Sequence, residues 1–233
     1  MSPGRRGGAL AAGLATLAVG CGGPADSTAN SELSSPGVAA TVSGSSNGAC
    51  LVRLHGKSET GAPPQAANGY VELAPTGNEP DGDGHMWIYF PEDSYAEARQ
   101  SVVEAIDEAS CEQIVLNGFS NGAAFAATLY CRGETFGNRV VGVVVDDPVP
   151  DEGVVDCSAA DGVEVALYWT GALEDVEAGT DCGSVGWICA GGRVLGIDDY
   201  ADALGTPILS SPHDEHIWYR DAPELVSWLG LQP

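Results

Sequence analysis

The chain has 233 residues, with 9 basic against 33 acidic side chains and a formal net charge of −24. So acidic a surface repels polyanions, which excludes nucleic acid as a partner and reads most simply as a solvated coat. A hydrophobic content of 44% belongs to a globular chain, and the length allows one domain with a full core.

In chain order, the first segment reads as an export signal. Arg5 and Arg6 form a short basic region, and residues 9–20 form an apolar run too short to span a bilayer as a helix. It ends at Ala18-Val19-Gly20-Cys21, which resembles the lipobox of bacterial lipoproteins. That resemblance implies cleavage before Cys21, lipid on its sulfur, and a membrane engaged through this N-terminal anchor only. Ala18 stands where the lipobox usually has Leu, so a freely secreted product remains open. Residues 22–47, rich in Gly, Ser, Ala, Thr and Pro, have the composition of a flexible tether, which leaves residues 48–233 as the folded domain.

With Cys21 set aside, Cys50, Cys111, Cys131, Cys157, Cys182 and Cys189 make an even set, as disulfides in an oxidising compartment require. Cys182 and Cys189 are close enough in sequence to close a small loop, whereas the other four cannot be paired from spacing. None has the spacing of a zinc site.

Strands are expected at 50–54, 70–73, 113–116, 140–145, 163–168 and 207–209. Helices are expected over 95–109, from 123 to 130, over 198–204, and from Pro223 to Leu229. Continuous apolar strands alternating with helices predict an α/β chain: a mostly parallel sheet covered on both faces, without a lid domain.

The chemistry is carried by Gly118-Phe119-Ser120-Asn121-Gly122, a G-x-S-x-G between an expected strand and an expected helix. A sharp strand-to-helix turn strains Ser120 and exposes its hydroxyl, the flanking glycines let strand and helix approach, and the helix N-terminus favours developing negative charge. A second motif, His55-Gly56-Lys57-Ser58-Glu59-Thr60-Gly61, follows the first strand. Together they resemble the phospholipase/carboxylesterase branch of the α/β-hydrolase superfamily, which includes acyl-protein thioesterases. His85-Met86-Trp87-Ile88-Tyr89 resembles an aromatic stretch that precedes a helix in that family.

The resemblance implies a three-layer α/β-hydrolase sandwich and a serine hydrolase acting on small-molecule or polymeric esters or thioesters through an acyl-enzyme, with no cofactor and no metal. Carried over by position, Ser120 is the nucleophile and the backbone amides of Lys57 and Asn121 form the oxyanion hole. His216 is the base, seven residues before Pro223-Glu224 as in many members, with Glu215 where Gly is usual. His213 is its rival.

The acid is expected just past strand 163–168, where Gly171-Ala172-Leu173-Glu174 offers Glu174 and, beside it, Asp175. Asp146 and Asp147, after the preceding strand, are a third choice. Other readings of the same residues are a calcium-loop fragment at Asp81-Gly82-Asp83-Gly84 and a metal at His213 and His216. For the whole domain, the alternatives are a catalytically inactive surface binding module, or a peptidase or polyester depolymerase using the same triad. A domain this short predicts an exposed site.

Overall fold

The computed structural model describes residues 48–173 and 176–231. The signal, Cys21 and the tether, with Glu174 and Asp175, lie outside them.

Chain order is β1 (Ala49–Leu54), β2 (Ala62–Ala67), β3 (Tyr70–Ala74), β4 (Glu79–Asp81), β5 (Gly84–Met86), α1 (Glu92–Glu108), β6 (Gln113–Phe119), α2 (Asn121–Cys131) and β7 (Val140–Asp146). It continues with β8 (Glu164–Trp169), α3 (Ile197–Leu204), β9 (Ile208–Ser210) and α4 (Pro223–Trp228). Seven strands form one sheet in the order β2-β3-β1-β6-β7-β8-β9, all parallel except β2, which runs antiparallel to β3. This is the mostly parallel α/β sandwich that the alternating pattern predicted.

Strand periodicity divides the core. Cys50, Val52 and Leu54 of β1, with Ile114, Leu116, Val143, Val145 and Leu167, face one layer, built by the buried sides of α1, α2 and α3. Ala49, Leu51, Val115, Val144 and Ala166 face the other, where Leu225 of α4 and Leu229 just beyond it close the third layer. Because β1, β6 and β7 are covered on both faces, they read as unbroken apolar runs. β2 is the exposed edge; Pro63 and Pro64 cannot donate backbone hydrogen bonds there, which blunts edge-to-edge pairing.

Three strands escape the sequence reading. β2 is short on apolar residues, and β4 and β5 are three residues each. The β4–β5 hairpin accounts for the acidic Asp81-Gly82-Asp83-Gly84 stretch: Asp81 pairs with Gly84 across a two-residue turn, with Gly82 at φ +61.

Three disulfides are present among the described residues, as an oxidising compartment permits. Cys50–Cys111 ties β1 to the turn before β6, Cys131–Cys157 ties α2 to the segment after β7, and Cys182–Cys189 closes the small loop expected from spacing. No described helix is long and apolar enough to cross a membrane.

Candidate active site

The site stands where β6 turns into α2. Ser120 has φ +54 and ψ −119, a backbone conformation that residues with a Cβ rarely hold. It is locked from both sides: its N–H donates to the Asp146 carbonyl at 3.1 Å, and its own carbonyl accepts from Ala123 and Ala124 at 3.0 and 3.1 Å. The flanking glycines are steric necessities. A Cβ on Gly118 would lie 2.3 Å from the Gly122 carbonyl oxygen, and one on Gly122 would lie 2.1 Å from that of Leu54.

Asn121 opens α2 and is fastened by its own side chain, which accepts from the Trp87 N–H at 2.7 Å and donates to the Trp87 carbonyl at 3.1 Å. Trp87 is fully buried, stacks on Phe125 and donates its indole N–H to the His55 carbonyl at 3.1 Å. The aromatic stretch thus braces both loops of the site from beneath.

His55 has a role that the sequence reading missed. Its Nε2 accepts from Gly77 N–H at 2.9 Å while Nδ1 pairs with the Gly56 carbonyl at 2.7 Å, a pattern only the neutral Nδ1–H tautomer satisfies. Burial pushes its pKa down, which keeps it neutral. The ring therefore holds the Gly56 carbonyl, and across a trans peptide the Lys57 N–H points the opposite way. The next turn is tightened by Glu59, whose carboxylate accepts from Gly56 N–H at 2.9 Å. His-Gly ahead of a polar loop was the visible signal; the tautomer was not.

His216 lies in the segment between β9 and α4. Its Nδ1 pairs with Oδ2 of Asp147, and its ring packs on Phe119 at 4.6 Å between centroids. Asp147 is fully buried and left-handed at φ +47. Its N–H donates to the Tyr168 carbonyl at 2.9 Å, and its carboxylate accepts from Thr170 N–H at 3.1 Å and Thr170 Oγ1 at 2.8 Å. The carboxylate on His216 thus comes from the end of β7, one strand earlier than the resemblance implied. Glu174 and Asp175, the acids expected after β8, lie outside the described residues. His213 stands apart, edge-on to Tyr219 with ring centroids 5.9 Å apart.

Asp146, next to the acid, is fully buried beneath the histidine segment, and its Oδ2 accepts from Tyr219 N–H at 2.5 Å. Burial, reinforced by the charge of Asp147, raises its pKa from 3.8 to about 7 against the pull of that hydrogen bond.

Ser120, Asn121, Lys57 and His216 border one cavity of about 140 Å³, closed on its apolar side by Val149, Leu173, Trp187 and Ile188. Four of the sequence-predicted positions are thereby brought together. Leu173, Trp187 and Ile188 belong to residues 170–196, the connection from β8 to α3, so a loop stands over one side of a site expected to be open. Among the described residues no cluster of His, Cys, Asp or Glu has the grouping of a metal site.

No family model and no curated protein matches the chain. Among solved structures, it is similar to a Bacillus cereus carboxylesterase at 17% identity, over 80% of this chain and 90% of that one, with a TM-score of 0.48. A protein of unknown function from Agrobacterium tumefaciens is similar at 14% identity, over 81% and 94%, with a TM-score of 0.48. YahD, solved with malic acid, is similar at 13%, over 80% and 93%, with a TM-score of 0.49.

Proposed function

We propose that this chain is an exported serine hydrolase that cleaves carboxylic esters or thioesters through an acyl-enzyme. One observation carries the reading: a buried carboxylate, Asp147, holds Nδ1 of a histidine that borders the same small cavity as a strained elbow serine.

In this reading Ser120 Oγ attacks the ester carbonyl as His216 takes its proton. The tetrahedral oxyanion is received by the amides of Lys57 and Asn121, two fixed donors worth a few kcal/mol of barrier. The carbonyl re-forms, the bond to the alcohol or thiol breaks, and the leaving group departs with the proton from His216. Water then repeats the sequence on the acyl-Ser120 ester and releases the acid. Asp147 keeps Nδ1 protonated, so that Nε2 is free to accept, and stabilises the imidazolium. Export is supported by the three disulfides and the signal-like N-terminus; the lipid on Cys21 belongs to the same proposal.

Turnover of a p-nitrophenyl ester, and labelling of Ser120 by a fluorophosphonate, test this. Both are expected in the native chain, and both should vanish in Ser120→Ala while the circular dichroism spectrum stays the same. A folded native chain that neither turns over nor labels would overturn the reading in favour of an inactive binding module.

A further inference from the structure

The loop bordering the cavity is anchored at several points. Cys182 and Cys189, both buried, bracket a short turn in which Trp187 N–H donates to the Cys182 carbonyl at 2.8 Å. Just beyond the bracket, Ala190 N–H donates to the buried Asp151 carboxylate at 2.7 Å, which Tyr89 OH also reaches at 2.6 Å. Asp151 bridges Val194 as well, and Leu195 N–H donates to the Pro150 carbonyl at 2.8 Å. From the other side of the cavity Lys57 Nζ reaches the Gly186 carbonyl at 3.3 Å.

Gly186, Trp187 and Ile188 of this framework line the cavity, the last two with their side chains. The space they close, about 140 Å³, nearly equals the roughly 150 Å³ apolar cavity that takes up benzene in an engineered lysozyme. A group of about six carbons fills it.

We propose that the Cys182–Cys189 loop is the specificity wall of this hydrolase, with Trp187 and Ile188 ending the acyl pocket at about six carbons. The inference rests on the proposed ester chemistry at Ser120 and adds the substrate class: esters of short acyl chains. The disulfide acts here by holding the wall, and it takes no part in the chemistry.

The test is kcat/KM on p-nitrophenyl esters from acetate to dodecanoate. Each methylene that finds apolar room should raise it about fourfold, and one that meets the wall should not. In the native chain the rise is expected to stop by hexanoate, with octanoate at least tenfold below the best ester. Trp187→Ala and Ile188→Ala are expected to move the optimum to octanoate or beyond, raising the octanoate-to-acetate ratio at least tenfold. The double variant Cys182→Ser/Cys189→Ser should shift that ratio in the same direction. The single wall variants keep the disulfide, so they carry the test even if the cysteine variant does not fold.

A native rate that climbs through dodecanoate, or a ratio left unmoved by Trp187→Ala, overturns the wall. So does a chain-length limit that follows the alcohol and ignores the acyl group. Failure of the ester chemistry is distinguishable: no ester of any length would turn over and Ser120 would not label.

Discussion

At the scale of single residues, the clearest division of labour is between Asp146 and Asp147. Neighbours in the chain, they serve the same histidine segment from different points, Asp147 at the His216 ring and Asp146 at the Tyr219 backbone. Asp147→Asn keeps the size of the side chain but removes the charge and permits the wrong imidazole tautomer. It is expected to lower kcat by between ~10² and ~10⁴, the upper end being what the corresponding change costs in a serine protease. Steady-state kinetics on a folded variant would check it, and a loss below tenfold would disqualify Asp147 as the acid.

Ser120 was legible because its signal is local, with strand, turn and helix following one another within a few residues. The acid was not. With 33 acidic residues in the chain, a carboxylate after a strand carries little contrast. Asp147 is distinguished by β7 and β8 ending together, with Asp146 opposite Tyr168, and by a left-handed backbone. Neither is written in nearby residues.

At the scale of elements, the β6–α2 turn and β1 behave as one unit. Gly122 faces the carbonyls at the end of β1, which also begin the His55-Gly56 loop, so the serine turn and that loop meet in direct backbone contact. Neither partner can retreat, since β1 is paired with β3 and β6 on its two sides. Gly122→Ala should therefore destabilise the domain by about 3 kcal/mol or more, at the upper end of overpacking costs. Gly56→Ala meets only side chains, the Phe119 ring at 3.3 Å and the Ser120 Cβ at 3.5 Å, and should fold. Denaturant melts of the two variants compare them directly; equal midpoints would mean that the elbow is looser than its contacts imply. The elbow itself could be anticipated from sequence, but its β1 partner could not, because the contact joins residues 54–55 to residue 122.

The wall loop is the extreme case of the same difficulty. Nothing in Gly183-Ser184-Val185-Gly186 announces a pocket, and the cysteine spacing announced only a closed loop. Its position comes from long-range anchors at Asp151, Pro150 and Lys57.

For the whole molecule, pH is the revealing variable. Asp146 and Asp151 are both buried, and burial raises them from 3.8 to about 7 and about 6. Folded, each holds its proton to higher pH than it would unfolded. The stability they contribute is therefore complete below about pH 4 and lost as pH climbs through 6 and 7. The melting temperature is expected to fall between pH 5 and pH 8, and Asp146→Asn, neutral throughout, should make that fall shallower. Parallel slopes for the two proteins would show that Asp146 does not titrate in this range. Mutual repulsion across a molecule of net charge −24 acts in the same direction, so the comparison belongs at moderate salt.

Lys57 has a consequence of a practical kind. It is the single lysine of the chain, and its ammonium stands at the mouth of the cavity, reaching toward Gly186. Amine-directed chemistry has almost nowhere else to go. A dye, a cross-linker or an activated resin aimed at primary amines would find, besides any free amino terminus, only the doorway of the cavity beside Ser120. Surface attachment by that route would hold the molecules entrance-down and starve them of substrate, whereas coupling through the abundant carboxylates would leave the entrance clear.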